Sequence, residues 1–98
     1  MTPDVTEIPG SASNQPASKD VAIDNFTFTP STITIPVGTT VTWVNHDDVP
    51  HTVTANDKGF ASKTMDTDER FSHRFTAPGT YAYFCAVHKH MTGKVIVK

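Results

Sequence analysis

Apolar and polar side chains alternate along most of this chain, and turn residues cut the alternation into short lengths. Val21-Ala22-Ile23 leads to Phe26-Thr27-Phe28. Ile33-Thr34-Ile35 follows Pro30 and stops at Pro36-Val37-Gly38. Between Thr39 and Asn45, the side chains of Val41, Trp43 and Asn45 share one side. Thr52-Val53-Thr54 makes a further short run. Arg70 to Phe75 alternates again, with Phe71 and Phe75 on one face. Tyr81-Ala82-Tyr83-Phe84-Cys85 follows the Pro78-Gly79 turn, and Val95-Ile96-Val97 follows Gly93. A period of two sets every second side chain against a core and its neighbours toward water. Short period-two runs punctuated by Pro and Gly predict an all-β sandwich. No segment carries a helical period, and there is no internal repeat. The polar stretch from Asn56 to Glu69 is expected to be a long connection with at most one short strand or turn.

The first 19 residues have a different texture. They are rich in Pro, Ser, Thr, Ala and Asn, with Val5 and Ile8 as the only large aliphatics. Residues 1–19 therefore read as a flexible leader or linker, either a tail without a role or a tether, and residues 20–98 as the folded domain. A chain of 98 residues with 37% hydrophobic side chains can build one small core. The net charge of −2 is not gathered into blocks, and nucleic-acid binding, which calls for a basic stripe, is not expected. No run approaches the roughly 18–20 apolar residues of a membrane-spanning helix. The N-terminus has no apolar signal segment, which fits a mature form with an added Met or a cytosolic protein.

The single cysteine cannot form an internal disulfide, so it is either a buried hydrophobe or a functional thiolate. Its surroundings favour the second. Cys85-Ala86-Val87-His88-Lys89-His90-Met91 has the spacing Cys-x-x-His-x-x-Met, and upstream stands His51 in Val49-Pro50-His51-Thr52-Val53. Two imidazoles and a thiolate with a weak axial thioether are the ligand set of a blue-copper site. The soft sulfurs suit Cu(I), and the imidazoles suit both oxidation states. The strand pattern puts His88 and Met91 on a tight loop between two neighbouring strands, with Cys85 at the end of the first. His51 comes in from another strand, so the set gathers at one pole of the sandwich. Structural zinc is the main competitor, but it takes four Cys or His ligands and no methionine.

The stretch Thr40-Val41-Thr42-Trp43-Val44-Asn45 with Pro50-His51 resembles the cupredoxin family, and within it the amicyanin group. So does Pro78-Gly79-Thr80-Tyr81-x-Tyr83-x-Cys85-x-x-His88-x-x-Met91-x-Gly93-Lys94-Val95. Plastocyanin and pseudoazurin are similar but carry a longer interval between the second histidine and the methionine. The resemblance implies a Greek-key β-sandwich of about eight strands, with one type 1 copper held by His51, Cys85, His88 and Met91. It also implies one-electron transfer, as a monomer meeting donor and acceptor proteins transiently, in a periplasmic or otherwise extracytoplasmic compartment. The family often has Asn or Ser after the first ligand histidine; this chain has Thr52, whose backbone N–H can still bond the Cys85 sulfur. The ligand loop has no proline.

The remaining histidines suggest no second metal set, and catalysis is not expected. His46 lies in a charged loop, and His90 is expected to face solvent. His73 shares the face of Phe71 and Phe75, half-buried at a strand edge unless a bulge turns it outward. Asp47-Asp48 and Asp66-x-Asp68-Glu69 read as acidic surface clusters. The alternative functions are a copper chaperone or store, for which the chain offers only Met1, Met65 and Met91, and a metal-free interaction module.

Overall fold

The computed structural model describes residues 17–98. Eight strands form: β1 (Ser18–Asp24), β2 (Thr27–Thr29), β3 (Thr32–Ile35), β4 (Thr40–Asn45), β5 (Thr54–Ala55), β6 (Arg70–Arg74), β7 (Gly79–Phe84) and β8 (Thr92–Val97). They make two four-stranded sheets, ordered β2-β1-β4-β6 and β3-β8-β7-β5. This is the expected all-β sandwich, with no helix among the described residues. β1 runs parallel to β4 and β3 runs parallel to β8, while the other pairs are antiparallel. Parallel neighbours cannot be joined by a tight turn. The chain accordingly crosses between the sheets at every connection from β2 to β7.

β1 begins two residues earlier than the domain start expected at Asp20. Ser18 pairs with Thr40, and Lys19 pairs with Val41. Both side chains are exposed, so the pattern of burial carries no mark of them. Main-chain pairing alone brings them into the sheet. The rest of the expected leader, residues 1–16, lies outside the described residues.

Alternation in β4 buries Val41, Trp43 and Asn45, as the sequence pattern requires. Trp43 is the centre of the core. Phe60 and Phe71 stack against it at 5.9 and 5.8 Å, and Tyr83 meets it edge-on at 5.4 Å. β6 is an edge strand with regular alternation, so His73 faces inward beside Phe71 and Phe75 and is half-buried. Its ring stacks on Phe60 at 4.7 Å. The connection from β5 to β6 contributes more than its polar composition suggests, because it buries Phe60 and Met65. Gly93, paired with Tyr83 across β7 and β8, leaves room for the tyrosine ring. A Cβ there would overlap the Tyr83 ring.

Candidate metal centre

His51 lies between β4 and β5, fully buried. It is anchored by a pair of main-chain bonds to Met65, with N···O distances of 3.1 and 2.8 Å. The turn before it is organised by Asn45, the last residue of β4. The Asn45 amide donates to the Val49 and Met65 carbonyls at 3.0 and 2.9 Å, and its side-chain oxygen accepts the Asp47 N–H at 2.9 Å. These bonds explain a fully buried asparagine: each polar atom it takes from water finds a partner.

Asp47 is held by this turn so that one carboxylate oxygen lies 2.7 Å from His51 Nε2. A carboxylate accepts only, so His51 carries its proton on Nε2, and its Nδ1 lone pair is left free. Burial works to raise the Asp47 carboxyl. The N–H groups of Phe26 and Asn25 and the His51 ring outweigh it and hold the group below its ordinary value.

Cys85 follows β7 directly and is fully buried. Its N–H donates to the Met91 carbonyl at 3.0 Å, and the Met91 N–H donates to the His88 carbonyl at 2.9 Å. These two bonds close the loop from Cys85 to Met91 and draw the buried Met91 back under it. Thr52 braces the loop from the other side. Its N–H donates to Cys85 Sγ at 3.4 Å, as expected, and its hydroxyl accepts the Ala86 N–H at 2.7 Å.

The outcome is a convergence of three donor atoms. Cys85 Sγ is 3.6 Å from His51 Nδ1 and 4.0 Å from His88 Nδ1, and the two Nδ1 atoms are 3.2 Å apart. The point equidistant from all three lies about 2.1 Å from each, within the range of about 2.0–2.3 Å at which imidazole and thiolate bind a first-row metal ion. Two imidazole nitrogens and a thiolate in a triangle suit copper of the blue type. Among the described residues this is the one such grouping of His, Cys and acidic side chains. His46 and His90 are exposed, and His73 is in the aromatic core edge.

Residues 16–98 match the family model described as copper binding proteins, plastocyanin/azurin family. The chain belongs to that family. This cupredoxin is 34% identical over 99 residues to amicyanin of Paracoccus versutus, covering 95% of this chain and 75% of that protein. Among solved structures, a purple cupredoxin from Nitrosopumilus maritimus superposes with a TM-score of 0.78 at 34% identity, over 82% of this chain and 99% of that one. A copper-containing nitrite reductase from Thermus scotoductus SA-01 superposes with a TM-score of 0.80 at 31% identity, over 93% of this chain but 24% of the enzyme.

Two residues at the centre escaped the sequence pattern. Asp47 reads as a surface acid, but it is half-buried and bonded to His51; Asp48 beside it is exposed. Phe26, in the turn between β1 and β2, sits edge-on to the rings of both His51 and His88, at 5.6 and 5.1 Å. An acid four residues before a candidate ligand histidine, on the turn that leads into it, is the signal that could have pointed to Asp47. Nothing local points to Phe26, because its contact is made across the sandwich end.

Proposed function

We propose that His51, Cys85, His88 and Met91 hold a single type 1 copper and that this cupredoxin carries single electrons between redox partners. The observation that carries the reading is the triangle of His51 Nδ1, His88 Nδ1 and Cys85 Sγ at bonding distance from one point. Bound copper supplies the one-electron couple between Cu(I) and Cu(II). The chain supplies a frame that moves little between the two states. His51 is fixed by its bonds to Met65 and Asp47, and Cys85 by Thr52 and Met91. A rigid ligand set lowers the reorganisation that each electron transfer requires.

His88 is half-buried, with the exposed Val87 and Phe26 beside it. It is the ligand imidazole through which electrons enter and leave during brief encounters with donor and acceptor proteins. The protein works as a monomer in the periplasm or another extracytoplasmic compartment, as the family resemblance implies. It is a carrier and not a catalyst. The likeness to nitrite reductase extends over a quarter of that enzyme, and the gathered donors here form one mononuclear set.

Adding Cu(II) to the metal-free protein tests the reading. An intense visible thiolate-to-copper band is expected in the native chain and is expected to vanish in Cys85→Ser. No band in the native chain, or a band that survives the substitution, overturns it.

A further inference from the structure

Asn25 and Phe26 are the two central residues of the β1–β2 hairpin, which is closed by the Asp24–Thr27 pair. Both have positive φ, 53° and 58°. A two-residue hairpin with both φ values positive asks for Asn followed by Gly. Here Asn fills the first place and Phe the second. Phenylalanine in the left-handed region is unfavourable, because its Cβ crowds the following carbonyl. Turning the chain does not require it, and glycine would turn it with less strain. Strained residues persist where the surroundings over-determine them, and they gather at functional centres.

The surroundings of Phe26 are specific. Its ring stands nearly perpendicular to those of His51 and His88, at interplanar angles of 89° and 86°. It thus spans the two imidazoles that arrive from separate loops. Its main chain is pinned by Asp47. One carboxylate oxygen accepts the Asn25 N–H at 2.6 Å, and the other accepts the Phe26 N–H at 2.9 Å as well as the His51 Nε2–H. Asp47 is itself fixed at both ends, by Asn45 and by the Thr67 hydroxyl, which donates to its carbonyl at 2.6 Å. One carboxylate therefore fastens both the strained turn and the ligand ring.

We infer that Phe26 is a positioning residue for the metal centre, held in strained backbone by Asp47 so that its half-exposed ring covers His51 and the near edge of His88 against water. The inference rests on the copper reading above. A centre of one thiolate and two neutral imidazoles carries one more positive charge when copper is oxidised. Water stabilises the more charged state. Opening this cover therefore lowers the reduction potential and lets the metal escape faster. Relief of strain works the other way on the metal-free fold, where it offsets the packing that the half-exposed ring makes against the two imidazoles.

Phe26→Gly separates these effects, with Phe26→Leu as a second variant that keeps the strain and an apolar side chain but loses the ring. Three quantities are read: metal-free melting temperature, reduction potential by voltammetry, and the rate of copper loss to a chelator. For Phe26→Gly, the melting temperature is expected to hold or rise, the potential to fall, and copper loss to quicken by about tenfold, the lower end of the affinity change when a supporting residue of a metal ligand is removed. Phe26→Leu is expected to lie between native and Gly in potential and loss rate. If Phe26→Gly melts lower and leaves the potential and loss rate unchanged, the ring is ordinary packing and the inference fails. If the native chain forms no blue complex, the copper reading fails instead, and the metal-free melting temperatures still report whether Phe26 is strained.

Discussion

Met91 is the proposed ligand whose replacement most directly reads the balance between the two copper states. A thioether is soft and favours Cu(I), whereas an amide oxygen favours Cu(II). Met91→Gln is therefore expected to keep the fold and the copper but to lower the reduction potential, measured by voltammetry. An unchanged potential would remove Met91 from the axial place. Thr52 shows how one residue can serve the site twice, with its N–H on the Cys85 sulfur and its hydroxyl on the Ala86 N–H. The grouping of His51, Cys85 and His88 was legible in the sequence because these chemical types are rare in combination and the Cys-x-x-His spacing is short. Asp47 was not, since an aspartate in a polar loop looks the same whether it faces water or a buried imidazole.

At the scale of elements, the pairing of β7 with β8 depends on a missing side chain. Gly93 stands opposite Tyr83, and a Cβ there would overlap the buried tyrosine ring. Gly93→Ala is expected to destabilise the fold by about 1–3 kcal/mol, the usual effect of overpacking a core, measured by denaturant unfolding of the metal-free protein. β6 adds a pH dependence. Burial against Phe60 and Phe75 makes His73 harder to protonate than its ordinary value of 6.5. The unfolded chain then takes the proton first, so this residue's contribution to stability is full above pH 6.5 and declines as the pH falls below it. His73→Phe should lessen the acid-side fall in melting temperature between pH 7 and pH 5, on the order of that range of imidazole titration. Identical slopes in the two proteins would contradict it. The alternation of β6 was readable from the sequence. That His73 would stack on Phe60 was not, because Phe60 lies in a connection whose polar composition hides its place in the core.

For the whole molecule, the question is where the folded unit starts. Composition points to Lys19 as the end of the leader, yet Ser18 and Lys19 pair with Thr40 and Val41, and the Thr40 N–H donates to the Ala17 carbonyl at 3.0 Å. Truncation before Ala17 is expected to leave the melting temperature and copper binding unchanged. Truncation before Asp20 removes the first rungs of the β1–β4 ladder and is expected to lower the melting temperature. Equal melting temperatures for the two truncations would show that those rungs add nothing.

The sequence by itself determined the class of the fold and the family, and it singled out the residues proposed to hold the metal. These are written in local terms: period-two alternation between turns, and four side chains of unusual type at short spacing. The three-dimensional structure decided what depends on contacts between distant segments. It brought Asp47 and the β1–β2 turn together over His51, set Phe26 across two imidazoles, and drew Phe60 and Met65 from a polar connection into the core. Apart from the place of Asp47 four residues before His51, none of these has a local signature. Each follows from the way chain crossings between the two sheets bring remote loops to one pole, where exposure and bonding are settled by the neighbours a residue meets and not by the residues beside it in the chain.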